Sequence, residues 1–114
     1  MPTDAEWTVL EYYLKTNGHE WAEGTALKST SGWNDAWDGT SGNGTDDYGW
    51  NGLPGGYRSN YGSFLNVGSY GYWWRSSQYN AFFAWYRSLG YYDFDVNTGY
   101  YSKESGFSVR CLKD

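Results

Sequence analysis

Residues 71–114 read GYWWRSSQYNAFFAWYRSLGYYDFDVNTGYYSKESGFSVRCLKD, and the most regular strand pattern of the chain lies in this stretch. If Ala84 to Leu89 is a strand, successive side chains point to opposite sides. Trp85, Arg87 and Leu89 then share one face, and Ala84, Tyr86 and Ser88 share the other. Tyr91, Tyr92, Phe94, Tyr100 and Tyr101 follow among Asp, Asn, Ser, Thr and Gly. That mixture is too polar for a core and too aromatic for an ordinary loop. Tyrosine brings contact area with few rotors to freeze, while Ser, Gly and Asn adapt around it, which is the composition of a recognition surface. The competing reading is that these rings fill a core poor in aliphatic side chains.

Composition narrows the possibilities. A chain of 114 residues holds one core and makes a single domain, 1–114. With 13 Tyr, 8 Trp and 16 Gly, its core is expected to be built from aromatic rings, with Gly-rich turns between short strands. A net charge of -5 argues against a nucleic-acid partner, which needs clustered Lys and Arg on the phosphates. Cys111 is the one cysteine, so no intrachain disulfide supports the fold. No apolar run reaches the length of a bilayer span, so direct membrane insertion is not expected, and Met1-Pro2-Thr3 is not a signal peptide.

At the start of the chain, Thr3 to Glu6 has the spacing of a capping box. Trp7, Leu10 and Leu14 recur at helical spacing with Val9 and Tyr13 widening the apolar face, and Asn17-Gly18 supplies a left-handed stop. An amphipathic helix is therefore predicted over Asp4 to Thr16. His19, Glu20, Trp21 and Glu23 can start a short second helix limited by Gly24, and Ala26 to Ser29 reads as a short strand or an extended connection. His19, the one histidine, reads as a solvated turn residue.

Residues 33–56, WNDAWDGTSGNGTDDYGWNGLPGG, are long for a loop in a compact domain, so they are either functional or ordered by their own side chains. Trp33 is expected to be buried, and Trp37, Tyr48, Trp50 and Leu53 can help pin the segment to the body. Asn43, Asp46 and Asp47 are weak candidates for a structural calcium ion, the only cofactor worth weighing. Asx-turn chemistry explains the same residues without an ion. Further on, Ser63 to Val67 and Tyr70 to Ser76 read as strands joined at Gly68-Ser69; Ala81 to Leu89, Val96 to Ser102 and Phe107 to Leu112 complete the sheet. In the last of these Phe107, Val109 and Cys111 are expected to face inward, Cys111 as a small buried hydrophobe.

PTDAEW at Pro2 to Trp7, LKSTSGWN at Leu27 to Asn34, NGTDDYGW at Asn43 to Trp50, LPGGYR at Leu53 to Arg58, GYWWRSS at Gly71 to Ser77, AWYRSL at Ala84 to Leu89 and GFSVRC at Gly106 to Cys111 occur in that order. Nearly the whole chain thereby resembles the Fibrobacter succinogenes major paralogous domain, a bacterial surface-protein module. The resemblance implies an α+β, C-type-lectin-like fold related to formylglycine-generating enzymes: an N-terminal amphipathic helix on a twisted antiparallel sheet, with long Gly/Asn/Asp loops. It also implies that family members carry sequence before PTDAEW, including a first strand that this chain lacks. The C-terminal stretch further resembles the variable region of proteins diversified by retroelements, in which scaffold residues alternate with substitutable ones.

The family resemblance delivers no activity by itself. Formylglycine-type oxidation uses paired cysteines on copper, and this chain has one cysteine. A glycosidase needs two carboxylates at a set separation, and only closeness in sequence recommends Asp93 and Asp95. Calcium-dependent lectins of this fold use Glu-Pro-Asn, which is absent, so Trp33-Asn34-Asp35 does not signal one. The expectation is a non-catalytic extracellular or cell-surface module that binds a protein or surface glycan. Its expected contact residues are Phe83, Tyr86, Ser88, Tyr92, Asp93, Phe94, Thr98, Tyr100, Tyr101 and Ser102; a calcium-independent lectin domain or a structural repeat module are the alternatives.

Overall fold

The computed structural model of the chain describes residues 1–111. The first element, α1 (Asp4–Leu14), starts where the capping box predicts: Glu6 N–H donates to the Thr3 hydroxyl at 3.2 Å and Thr3 N–H donates to the Glu6 carboxylate at 3.1 Å. It ends two residues before Thr16, passing into a single π-helical turn (Lys15–His19) in which Gly18 takes φ +92°. Trp7 and Leu14 are buried and Leu10 packs against the core. Val9 and Tyr13, expected to widen the apolar face, point to water instead; the contact stripe of α1 is the narrow one of residues 7, 10 and 14.

The second helix, α2 (Glu23–Leu27), runs through Gly24 where a stop was expected, so Ala26 and Leu27 are helical and buried, not extended. Gly24 is required by close approach. A Cβ there would lie 2.8 Å from the carbonyl carbon of Asp95 and 2.9 Å from the carbonyl oxygen of Phe94. The helix begins against that oxygen, which accepts from the N–H groups of Gly24 and Thr25 at 2.7 and 3.2 Å.

A five-residue helix leaves most of its carbonyls without internal partners. The long Gly/Asn/Asp segment supplies them: Thr45, Asp47, Gly52 and Asp46 N–H groups donate to the carbonyls of Thr25, Ala26, Leu27 and Lys28 at 2.8–3.1 Å. Trp33 is buried, its indole N–H shared between the Ser29 hydroxyl and the Gly52 carbonyl, and Trp50 packs between Trp7 and Trp73. Trp37 and Leu53 do not help pin the segment; both stand in water, Trp37 at 92% exposure. Beneath the segment Lys28 is buried, its ammonium donating to the Gly90 and Asp93 carbonyls at 3.0 and 3.1 Å and lying 5.4 Å from the Trp33 ring.

Two antiparallel sheets complete an α+β fold. A small hairpin pairs β1 (Tyr57–Arg58) with β2 (Phe64–Leu65), so the strand near Ser63 joins its predecessor and not the strand after Gly68-Ser69. The main sheet has the order β3-β4-β5, with β3 (Tyr70–Gln78), β4 (Phe83–Gly90) and β5 (Asn97–Ser102) all antiparallel. The register sets Trp73 beside Arg87 and Arg87 beside Thr98, and α1 packs on that face. The core between them joins Trp7, Leu14, Ala26, Leu27, Trp33, Trp73 and Leu89.

The expected last strand does not form within the described residues; Leu112 lies outside them. Instead Gly106 bridges Arg58 and Ser108 bridges Trp73, carrying Phe107 to the sheet face opposite α1. Val109 and Cys111 are exposed, because a segment held by single bridges has no second layer to point into. Among the described residues no helix is long and apolar enough to cross a membrane.

Candidate functional site

Strand alternation gives the main sheet two chemically different faces. Facing α1, Arg87 fills a position where a core side chain would stand. Its guanidinium donates to Asp4 (Nη2, 3.0 Å), Glu11 (Nε, 2.9 Å) and the Thr98 hydroxyl (Nη1, 3.0 Å), and stands 6.0 Å from the Trp7 ring. Arg75 beside it pairs with Asp4 and also donates to Thr98. Burial, and then the neighbouring positive charge of Arg87, push the Arg75 guanidinium down to about 10, which leaves it charged at neutral pH.

The opposite face is aromatic. Tyr72 and Trp74 from β3, Tyr86 from β4 and Tyr101 from β5 project there, and Phe107 lies over them. Its ring stacks on Trp74 at 4.2 Å, Tyr72 at 5.0 Å and Tyr101 at 6.0 Å. Tyr57 and Tyr86 meet it edge-on at 5.7 and 5.2 Å. Between Tyr57, Tyr72, Tyr86, Tyr101 and Phe107 a cavity of about 70 Å³ remains. Gly99 lies opposite Tyr86 in the register, and a Cβ there would come within 2.7 Å of the Tyr86 hydroxyl oxygen, so the missing side chain makes room for the ring. The band continues through Tyr70, stacked on Tyr72 at 5.8 Å, to Tyr92 at 6.1 Å from Tyr70. Burial, foremost, raises the Tyr57, Tyr70, Tyr72 and Tyr86 hydroxyls above their usual range, so all four stay protonated at neutral pH.

Two further surfaces lie away from this band. At the far end of the α1-facing side, Tyr79 stacks on Tyr100 at 4.2 Å with Trp85 edge-on to both and Phe83 6.0 Å from Tyr100. Between the helices and β5 an open recess of about 400 Å³ is lined by Glu11, Trp21, Glu23, Asp95, Asn97 and Thr98, among others. Trp21 is 77% exposed and held at φ +68°, a conformation that bulky residues rarely adopt. Burial, then the negative charges of Asp93 and Glu23, raise the Asp95 carboxyl.

The ten contact residues expected from the sequence therefore do not form one surface. Tyr86 and Tyr101 share the aromatic band, and Tyr92 extends it. Phe83, Thr98, Tyr100 and Ser102 project from the other side of the sheet, as their register partners require. Ser88 is corrected: at 7% exposure it lies beneath the band and offers nothing to a ligand. Thr98 has its hydroxyl engaged by Arg75, Arg87 and the Tyr86 carbonyl. Asp93 closes its own turn, its carboxylate accepting from Asp95 N–H at 3.0 Å and from the Asn97 amide at 2.7 Å. Phe94 presents its ring to water while its carbonyl holds the start of α2.

Asn43, Asp46 and Asp47 do not converge on a calcium site. Asn43 accepts from Trp33 N–H at 3.0 Å, Asp46 from Asn51 N–H at 2.7 Å, and Asp47 lies 3.4 Å from the His19 ring nitrogen. Among the described residues no group of three or more His, Cys, Asp or Glu side chains is gathered for a metal.

Sequence reasoning missed Tyr57, Tyr72 and Phe107 as members of the band, and Trp21 as an exposed ring. The alternation of Tyr70, Tyr72 and Trp74 was the available signal for Tyr72; nothing local marked Phe107 as outward. The ordered scaffold residues, from the capping box at Thr3 to Arg110 beside Trp50, match the family model described as the Fibrobacter succinogenes major domain over residues 1–113. The chain belongs to the Fibrobacter succinogenes major domain family. No curated protein and no solved structure matches it. Membership in the Fibrobacter succinogenes major domain family names a scaffold and not a reaction, so function has to be argued from the surfaces just described.

Proposed function

We propose that this chain is a non-catalytic binding module, with a C-type-lectin-like arrangement of helix and sheet, that presents its outer aromatic face to a protein ligand outside the cell. The observation that carries this reading is the band from Tyr92 through Tyr70, Tyr72, Tyr86 and Tyr101 to Phe107. Its rings are rigidly packed on one another yet half-open to water, the preorganised state that makes aromatic side chains effective hot spots. Tyr92 and Tyr101, exposed at its two ends, supply adaptable contacts of the kind that retroelement-diversified scaffolds vary; buried Ser88 is not such a position. A nearby reverse transcriptase and a near-copy rich in Asn codons at Tyr86 and Tyr101 would support that origin.

A carbohydrate reading has one observation of its own, the exposed Trp21 ring beside the polar groups of Glu23, Asp95 and Asn97 in the recess. An array of surface proteins and glycans probed with the native chain, Tyr92→Ala/Tyr101→Ala and Trp21→Ala separates the two. The tyrosine double variant is expected to lose a protein ligand by at least tenfold, a change of about 1.4 kcal/mol. Loss of glycan binding in Trp21→Ala alone would replace the protein reading with the lectin one, and ligand binding unchanged in both variants would overturn both.

A further inference from the structure

We propose that the outer edge of β5 accepts an extended segment of a protein ligand as a further strand, with a lysine or arginine of that segment seated in the recess beside Trp21, Glu23 and Asp95. That assignment rests on the protein-binder reading above and adds to it the backbone conformation and the charge of what is bound. Lys103 N–H donates to the Phe82 carbonyl at 2.9 Å, which continues the pairing of Phe83 with Ser102 by one residue. Bonded pairs alternate along an antiparallel ladder, so residues 97, 99, 101 and 103 turn their main-chain groups toward β4. Thr98, Tyr100 and Ser102 turn theirs away from it. Among the described residues no other backbone group bonds the N–H or C=O of Thr98 or Tyr100, or the N–H of Ser102.

The opposite edge of the same sheet is closed. There the Tyr70 and Tyr72 carbonyls accept from Gly56 and Ser108 N–H groups at 2.8 and 3.0 Å, and Trp74 and Ser76 N–H groups donate to the Ser108 and Pro2 carbonyls at 3.1 and 2.9 Å. Strand β5 has no such cover, and it lacks the protections that edges ordinarily carry. Asn97–Ser102 contains no charged side chain and no proline, and it pairs with β4 without a bulge. An edge in that state is a template for an added strand, whose main-chain groups supply affinity while alternate side chains supply selectivity.

The recess selects the charge of the occupant. A residue of the added strand directly opposite Thr98 projects to the same side of the sheet, and so into the volume of about 400 Å³ lined by Trp21, Glu23, Asp95 and Thr98. Glu11, on the far wall, is engaged by Arg87, but among the described residues neither Glu23 nor Asp95 has an ion-pair partner. Burial, and then the negative charges of Asp93 and Glu23, raise the Asp95 carboxyl, a crowding that an incoming cation relieves. The protein's own cations sit over Trp7, Trp33, Trp50 and Trp85, and none sits over Trp21. Two unpaired carboxylates beside an open indole suit a lysine or arginine, whose long stem reaches in from the sheet edge. An acidic segment would instead meet a chain of net charge -5.

The test presents a displayed library of random short peptides to the whole chain. Enriched sequences are expected to carry Lys or Arg among β-branched or aromatic residues, with no interior Pro. Enrichment of acidic or Pro-interrupted sequences, or of none, overturns the proposal. An enriched peptide is then synthesised with its backbone N–H groups methylated at alternate positions, in each of the two possible phases. The phase that faces the edge is expected to lose at least about tenfold in affinity, clearly more than the other, and hydrogen exchange at Thr98, Tyr100 and Ser102 is expected to slow by at least about tenfold when the unmodified peptide binds. Equal loss in both phases, or unchanged exchange at those amides, overturns it without needing a mutant that folds. Glu23→Gln/Asp95→Asn removes charge but no ion pair, and is expected to weaken the peptide by at least about tenfold; unchanged affinity overturns the recess assignment. Protection of the same amides that appears without peptide and grows with protein concentration would place a second copy on the edge and overturn the peptide assignment. A ligand lost in Tyr92→Ala/Tyr101→Ala that leaves the Thr98 and Tyr100 amides unprotected would keep the outer-face reading and overturn this one.

Discussion

Arg87 occupies a strand position whose neighbours on the same face, Trp85 and Leu89, are apolar, and its charge is tolerated because three partners meet it. Asp4 and Glu11 come from α1 and Thr98 from β5, so one guanidinium joins the helix to two strands. A buried pair broken on one side usually costs about 3–5 kcal/mol, because the remaining charge is left unpaired. Here Asp4 is more than half exposed and recovers water, which places the expected cost of Arg87→Ala near the lower bound, about 3 kcal/mol by urea denaturation. Arg87→Lys is expected to regain less than half of it, since one ammonium cannot address three acceptors held in a fork. A loss below about 1 kcal/mol for Arg87→Ala would mean that the guanidinium serves only as packing between Trp7 and the sheet. Tyr86 behaves differently at this scale. It is half-buried across Gly99, so removing its ring weakens the fold as well as any binding, and exposed Tyr92 and Tyr101 are the cleaner binding probes.

Among the elements, α2 shows how a helix too short to stand alone is held. Its first N–H groups reach the Phe94 carbonyl and its last carbonyls receive the loop at 45–52, so both ends are satisfied by distant backbone. Replacing Gly by Ala within a helix ordinarily gains up to about 1 kcal/mol. At Gly24 the sign reverses, because the added carbon would strike the backbone of Phe94 and Asp95, which cannot yield without releasing the start of the helix. Gly24→Ala is expected to destabilise by at least about 2 kcal/mol and to increase hydrogen exchange at Thr45, Asp46 and Asp47. A stabilised variant would show that the approach between α2 and the 94–95 turn is not tight. These couplings also mark what could be read in the chain beforehand. Helix α1 and strands β3 to β5 were legible, since a capping box and a two-residue alternation are written in side chains. The bonds from residues 45–52 to α2 were not, because they use main-chain N–H groups that Gly, Asn and Asp all carry alike. The inward assignment of Phe107 failed for a related reason: where both sheet faces carry aromatic rings, alternation separates the faces without telling which is inside. Grouping Phe83 and Tyr100 with Tyr86 and Tyr101 ran against that alternation, which sets Phe83 on the other side of β4 from Tyr86 and Tyr100 on the other side of β5 from Tyr101.

For the molecule as a whole, the outer aromatic layer acts as a second core, and its titration gives a way to measure it. Tyr57, Tyr70, Tyr72 and Tyr86 have hydroxyls raised above the ordinary 10 by burial first; hydrogen bonding with Tyr101 and Tyr92 adds to this at Tyr57 and Tyr70, the Asn66 hydrogen bond opposes it at Tyr72, and the prospective charges of neighbouring tyrosines add to it at all four. Below pH 10 these groups are protonated in both folded and unfolded chains, so their contribution is fully present. Above it the unfolded chain ionises first and binds fewer protons than the folded one, and stability falls as pH rises through the folded values. Lys28 works the other way. Burial lowers its ammonium below the usual 10.5, partly offset by Asp93, so the unfolded chain holds more protons there and stability rises with pH until 10.5 is passed. One lysine opposes four tyrosines, and the chain already carries a net charge of -5 that further ionisation only increases. Unfolding free energies from urea titration are therefore expected to change little between about pH 8 and 9 and to drop steeply above about pH 10, in step with phenolate absorbance. Tyr72→Phe, which keeps the ring and removes an ionisable hydroxyl, is expected to shallow that drop. If stability holds level to about pH 11 while phenolate forms, the tyrosines ionise as freely in the folded chain as in the unfolded one, and the outer layer is not packed as described.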